Sequence, residues 1–381
     1  MIDFGFGFMR LPQKDIDDET SVDIDLVKMM VDRYLESSFN YFDLGFDYHG
    51  GVCETAFKEA VVDRYPREAY VVADKLPIYN MPKSEDEFQV YFDKQIERTG
   101  LEYFDYYMLH NATGWTDNGF KNLDSFKFIR DLKDAGKVKH IGISTHDDAD
   151  FLEEILTEHP EIEFVQLQVN YLDWDNDGIQ SGKCCEVANK HGVDIIVMEP
   201  VRGGMLVNLP DDVKKVFTDY DSEASIASWA LRFCMGLEGV QTVLSGMSNL
   251  EQLEENLQYM ENFVPLNDEE HEIIKKVTDM ILSEIEIPCT YCKYCLSHCP
   301  IEMPISRYFE LVNSEKIGNG IEGFSIPTLT YINMTKSGGH PKASECNECG
   351  ACAEICPQQL DIPKYLKETV VPLLEKDVPF N

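Results

Sequence analysis

Between residue 4 and about residue 262, short apolar runs alternate with longer amphipathic stretches, and this alternation limits the fold more than any other feature. The apolar runs read FGFGFM (4–9), NYFDLG (40–45), AYVVAD (69–74), FDYYML (104–109), VKHIGIS (138–144), FVQLQVN (164–170), VDIIVME (193–199) and GVQTVLSG (239–246). Helical stretches fall between and after them, at 21–38, 51–64, 84–98, 122–135, 147–158, 178–191, 222–236 and 249–262. Eight strand–helix units in this length are what a (β/α)8 barrel requires. An open doubly wound sheet would carry a glycine-rich dinucleotide fingerprint after its first strand. Here Gly5-Phe-Gly7 lacks both the third glycine and the following helix. The expected fold is therefore an α/β (β/α)8 barrel over residues 1–265, followed by a connecting helix over 266–286.

Residues 287–381 carry a different signal. Cys289, Cys292, Cys295 and Cys299 are followed by Pro300, and the spacing returns at Cys346, Cys349, Cys352, Cys356 and Pro357. This C-x2-C-x2-C-x3-C-P run is the bacterial-ferredoxin spacing for a 4Fe–4S cubane, in which the fourth cysteine ligates the other cluster. The spacing assigns Cys289, Cys292, Cys295 and Cys356 to one cluster, and Cys346, Cys349, Cys352 and Cys299 to a second. Structural zinc is the alternative, but a zinc ribbon presents two C-x2-C pairs rather than triplets ending in C-P. A small ferredoxin-like iron–sulfur domain is thus expected. The insertion at 300–345, between the two motifs, is longer than such a domain needs. It would either pack on the barrel or cover its mouth.

The remaining cysteines, Cys53, Cys184, Cys185 and Cys234, read as small buried hydrophobes. Thiolate-held clusters imply a reducing interior, the start MIDFGFGFMR lacks the pattern of a signal peptide, and no apolar run is long enough to span a bilayer. A cytoplasmic location with no membrane partner is expected. The net charge of −36 repels nucleic acid and anionic lipid. It suits a basic redox partner protein or simply a heavily solvated surface.

In barrel enzymes the chemistry sits where strands end and βα loops begin. Asp43 and Tyr48 follow the second apolar run, Lys75 ends the third and His110 ends the fourth. Each alone reads as a buried ion pair, a core tyrosine or a capping histidine, but four on consecutive strand ends form a site. A lysine cation beside the phenol would lower the tyrosine pKa, Asp43 would hold that lysine, and His110 would donate to a developing oxyanion. Such a group suits hydride addition to a small-molecule carbonyl, with Tyr48 giving the proton.

On these residues the chain resembles the aldo-keto reductase superfamily over roughly 4–262, and the whole resembles a branch with a C-terminal ferredoxin-like module. The resemblance implies that Asp43, Tyr48, Lys75 and His110 are the catalytic tetrad, and that NADPH or NADH binds in extended form across the barrel mouth. It implies nicotinamide-amide contacts from Ser144 and Gln168, and an adenosine-phosphate loop and helix containing Ser245, Gly246, Ser248, Gln252, Glu255 and Asn256. Met198 stands where the family places a stacking aromatic, with Glu199 beside it. The 245–252 loop has no Arg or Lys for a 2′-phosphate, which leaves NADP and NAD both open; Arg10 or Arg202 would supply charge near the cofactor phosphates. Phe46, Tyr48, Trp115 and parts of 300–345 are the expected substrate walls.

Hydride moves two electrons and a cubane accepts one, so exchange between the halves needs a converter such as flavin, for which no specific signature is present. Three readings follow. One is a nicotinamide-dependent carbonyl reductase with structural, sensory or flavin-coupled clusters. The others are an electron-transfer module that uses the barrel as a docking scaffold, and a non-enzymatic redox sensor.

Overall fold

The computed structural model describes residues 3–15, 18–37, 39–77, 82, 84–112, 123–176, 179–283, 286–287, 289, 295–317, 325–336, 338–356 and 360–375. Trp115, Cys292 and Pro357 lie outside them. Eight parallel strands close in sequence order. They are β1 (Asp3–Gly7), β2 (Tyr41–Asp43), β3 (Val71–Leu76), β4 (Phe104–Leu109), β5 (Val138–Thr145), β6 (Phe164–Gln168), β7 (Asp194–Met198) and β8 (Val240–Gly246). Pairing of Phe4 with Val243 and of Gly7 with Gly246 seals the barrel. The expected (β/α)8 architecture is present.

Around it run α1 (Ile24–Glu36), α2 (Cys53–Phe57), α3 (Glu85–Thr99), α4 (Ser125–Asp134), α5 (Ala149–Glu158), α6 (Ser181–His191), α7 (Asp211–Tyr220), α8 (Ile226–Met235) and α9 (Leu250–Glu261). Their starts follow local capping chemistry: Asp23, Asp124, Asp148, Ser225 and Asn249 each accept a hydrogen bond from a first-turn backbone N–H. Helix α7 was not foreseen. It begins directly after Pro210 with Asp211 and Asp212, acids well placed at a helix N-terminus. The first strand is shorter than its apolar run, because Phe8–Arg10 turn into a short 3-10 helix.

Strand periodicity explains where the candidate functional side chains sit. Tyr41, Ala73, Met108, Phe164, Ile196 and Leu244 form a small cluster separate from the main core. The main core joins the alternate strand residues, such as Phe42, Val72, Tyr107 and Val243, to the helices. With a period of two, the residues two further along the first set's strands face inward as well. That register contains Asp43, Lys75, His110, Gln166 and Met198, so the barrel's lower layer is apolar and its upper layer, Met198 apart, polar.

Helix α10 (Asp268–Leu282) opens with a reciprocal cap between Asn267 and Glu270, and buries Ile274, Val277 and Ile281 in the barrel's main core. A second core follows, built from α11 (Ile305–Ile317), α12 (Ile326–Lys336), α13 (Ala351–Glu354), α14 (Ile362–Tyr365) and α15 (Val371–Leu374). The Tyr308 and Tyr331 rings, 4.7 Å apart, join α11 to α12. The insertion between the cysteine motifs thus contributes two helices. Within the described residues no helix is long and apolar enough to cross a membrane.

Gly142 lies where β5 presses on β6: a Cβ there would stand 2.5 Å from the Phe164 carbonyl oxygen and 2.6 Å from its ring. Backbone cannot yield as a flexible side-chain tip does, so Gly142→Ala should destabilise the fold by about 2 kcal/mol, the usual scale of overpacking, read from the urea midpoint.

Candidate active site

At the C-terminal ends of β2 and β3, Lys75 is 1% exposed and its ammonium donates to Asp43 Oδ2 at 2.6 Å and to the Leu44 carbonyl. Gln166 donates to the other Asp43 oxygen at 3.4 Å. A charge so deeply placed persists only with such partners. Burial raises the Asp43 pKa, and the Lys75 cation opposes that rise. Tyr48 sits in the turn after β2, made possible by left-handed His49 and Gly50. Its ring lies flat on Gly45, where a Cβ would come within 2.7 Å. The Lys75 Nζ is 4.9 Å from the ring centroid, and the His110 ring meets it edge-on at 5.8 Å. The four residues expected to form the tetrad therefore gather in one place.

Their electrostatics differ from expectation in one respect. The phenol is raised well above the ordinary tyrosine pKa rather than lowered, first by burial and then by the carboxylates of Asp43, Asp74 and Glu199 and the thiol of Cys53. Lys75 spends its charge on Asp43 and Leu44, so desolvation prevails. His110 is pushed well below the usual imidazole pKa by burial, by Lys75 and by His146. At neutral pH both are neutral.

The residues proposed to hold the nicotinamide amide also converge. Gln168 pairs with Met198 across β6 and β7, and Ser144 Oγ points to Met198 Sδ at 4.0 Å. Gln168 Nε2 donates to Asp173 Oδ2 at 2.7 Å, and its Oε1 stands 2.9 Å from His146 Nδ1. A carboxylate only accepts, so the amide orientation is set and Nδ1 carries the histidine proton. One N–H and one lone pair of Gln168 are left, which is the complement of a primary carboxamide. Asp173 Oδ1 and Glu199 Oε2 are shielded without a hydrogen-bond partner. This polar set fits a nicotinamide.

At the end of β8, next to β7 on the rim, Asn256 donates to Ser245 Oγ at 3.1 Å, and Gln252 Oε1 accepts from the Ser248 N–H at 2.8 Å. Asn249 caps α9. Gln252 is thereby bound to its own loop, while half-buried Glu255 lies one position before Asn256. Ser248 Oγ donates to the Arg10 carbonyl at 2.8 Å, and a Cβ on Gly246 would touch the Arg10 side chain at 3.1 Å. Arg10 is thus the cation lying on this loop. Arg202 instead pairs with Asp173 at 3.1 Å and hydrogen-bonds Ser314 of α11 at 2.6 Å.

Between rim and module lies a partly open cleft, lined by Arg10, His146, Gln168 and Glu199 from the barrel and by Arg307, Ser314 and Thr330 from α11 and α12. The insertion therefore stands over the barrel mouth. Phe46, expected as a substrate wall, is instead buried against Tyr91 and the Arg98 guanidinium. In the module, Cys299, Cys346, Cys349 and Cys352 line one small hollow. Among the described residues no three His, Cys, Asp or Glu side chains meet in single-ion geometry. Thiols spaced round a cavity suit a polynuclear cluster better than one ion. Cys289, Cys295 and Cys356 fall in or against the module core, whereas Cys53, Cys184, Cys185 and Cys234 are buried in the barrel core.

The Aldo/keto reductase family model matches residues 3–279. The chain belongs to the aldo/keto reductase family. A 4Fe-4S dicluster domain model matches residues 288–362 of this reductase. The oxidoreductase YqkF of Bacillus subtilis is 23% identical over 259 residues, spanning 60% of this chain and 80% of its own. The holo form of aldo-keto reductase AKR11C1 from Bacillus halodurans superposes with a TM-score of 0.58 at 24% identity, covering 72% of this reductase and 91% of that chain. An aldo-keto reductase from Klebsiella pneumoniae in complex with NADPH gives 0.53 at 14% identity, covering 72% and 90%.

Sequence reasoning passed over Gly45, His146 and Asp173. A glycine two residues after Asp43 was visible in DLGFDY, but only the ring lying on it shows its use. His146 is held at a pKa of about 4, chiefly by burial and against its bond to Gln168. An unfolded histidine binds a proton near pH 6.5, so the unfolded state takes up more protons and stability falls as pH drops from 6.5 towards 4. His146→Gln should remove about 2 kcal/mol of that loss. Comparing the urea midpoints of the two proteins at pH 7 and pH 4.5 measures it, since acid effects on the clusters cancel in the difference.

Proposed function

We propose that this reductase uses a nicotinamide cofactor to reduce a small carbonyl compound, with Tyr48 as proton donor, and that its C-terminal module holds two 4Fe–4S clusters. The barrel unit spans 1–265, the helix of 266–286 joins it to the module, and the module spans 287–381. The observation that carries the reading is the grouping of Tyr48, Lys75, Asp43 and His110 at one rim beside Ser144, Gln168 and Met198.

A bound reduced nicotinamide supplies hydride to the carbonyl carbon. His110, kept neutral, donates an N–H to the carbonyl oxygen as negative charge gathers there. Tyr48, kept protonated, transfers its proton to that oxygen; a high phenol pKa is no obstacle, because an alkoxide is the stronger base. Lys75 then faces the phenolate ring at 4.9 Å and balances its charge, with Asp43 holding the ammonium in register. Arg10, lying against Gly246 and Ser248, is the cation best placed for a cofactor phosphate. The helix α9 N-terminus adds backbone N–H groups to the same place.

Cys299, Cys346, Cys349 and Cys352 would hold one cluster, and Cys289, Cys292, Cys295 and Cys356 the other. Cys349 is exposed, which supports a second reading in which a basic redox partner exchanges electrons with that cluster.

Tyr48→Phe should lower carbonyl reduction about 1,000-fold, within the range for losing a positioned acid, and leave cofactor affinity unchanged. Anaerobic cofactor oxidation over a carbonyl panel, with a binding titration alongside, checks both; retained turnover refutes the role of Tyr48. Cys349→Ser should cut iron from about eight to about four atoms per chain, leaving a visible spectrum of the other cluster. Unchanged iron content would refute the ligand assignment.

A further inference from the structure

We propose that the iron–sulfur module positions the amide that receives the nicotinamide. Through Glu310 and Ser314 it holds Arg202, and Arg202 holds the Asp173 that orients Gln168. The inference rests on the nicotinamide reading above and adds that only the nicotinamide end of the cofactor depends on the module.

The chain of contacts is continuous. On α11, Ser314 Oγ donates to Glu310 Oε1 at 2.8 Å and accepts from Arg202 Nη2 at 2.6 Å. Glu310 itself is 3.7 Å from the same guanidinium and is held from its other oxygen by Arg307 at 2.8 Å. Arg202 Nε then donates to Asp173 Oδ2 at 3.1 Å, the oxygen that also accepts from Gln168 and from Asn170 at 2.8 Å. Side-chain exposures of 11% for Arg202, 4% for Glu310 and 0% for Asp173 leave these groups little contact with water. Buried charges linked in this way are costly to separate, so each fixes the next.

The backbone agrees with the side chains. Glu199 and Arg202 both occupy the left-handed region, with φ of 57° and 49°, in the segment directly after β7. Residues other than glycine stay there only where their surroundings hold them. Arg202 is held on the barrel side by Asp173 and by Met205 Sδ at 3.3 Å, and on the other side by α11, which is fixed from behind: Tyr308, Phe309 and Val312 are buried in the core that contains Cys295 and Cys352. One face of α11 thus belongs to the cluster core, and Glu310 and Ser314 on its flank belong to the barrel mouth. The adenosine-side loop at Ser245–Asn249 has its own supports in Asn256, Gln252 and Arg10, none of which belongs to the module.

The test uses the full, cluster-loaded protein. Binding is measured for whichever dinucleotide the wild type takes, NADPH or NADH, and for the analogue lacking nicotinamide, ADP-ribose with or without its 2′-phosphate. In the Glu310→Gln/Ser314→Ala double variant, with iron content unchanged, the dinucleotide Kd should rise about tenfold while that of the analogue stays within about twofold. Asp173→Asn, which conserves volume, should give the same signature and covers the case of a poorly folding double variant. Equal weakening of both ligands would show a merely structural role, and no change in either would show an idle contact; each overturns the proposal. A wild type that binds the analogue but no dinucleotide any more tightly would overturn the nicotinamide reading itself.

Discussion

Closure of eight parallel strands obliges every second side chain to point into the barrel, and the site depends on that constraint. The inward register is filled by Tyr41, Ala73, Met108, Phe164, Ile196 and Leu244 below. One step higher the same register places Asp43 and Lys75, a pair of charges with almost no exposure. Neither is tolerable there without the other. In the proposed mechanism the pair is structural support and reactive machinery at once: the ammonium that satisfies Asp43 also sits against the Tyr48 ring. Gly45 completes the arrangement by letting that ring rest on bare backbone.

The module adds a second constraint, of a different kind. A terminal domain tethered by a helix would be free to move relative to the barrel. Here α10 is part of the barrel core, and α11 inserts a charged flank into the mouth through Arg202. The cleft between the two is thus walled by residues more than a hundred positions apart in sequence, from Arg10 to Thr330. The long insertion between the cysteine motifs supplies that wall, which accounts for a length that cluster binding alone does not require.

The barrel was legible because its signals are local and periodic: apolar runs of strand length, separated by amphipathic helices. The positions of Asp43, Lys75 and His110 followed, since a strand end is a place that sequence can mark. What sequence could not show was the spending of charge. Lys75 beside a tyrosine suggested a lowered phenol pKa, but the ammonium is engaged by Asp43 and the Leu44 carbonyl while burial acts on the phenol unopposed. Arg10 and Arg202 looked interchangeable as phosphate ligands. Three-dimensional partners separate them, one lying on the Gly246 loop and the other locked between Asp173 and Ser314. Phe46 was misjudged for the same reason, because its partners Tyr91 and Arg98 come from α3, far along the chain.

The protonation states have a consequence for direction. The proposed reduction needs a site that begins with a phenol holding its proton and an imidazole that donates without being charged. Burial, reinforced by the acids around Tyr48 and the cation beside His110, produces both states at neutral pH. Oxidation of an alcohol would instead begin from phenolate, which burial and the acids Asp43, Asp74 and Glu199 oppose. The field of the barrel mouth therefore suits the proposed reduction, and it does so through residues that the fold already needs for its own polar layer.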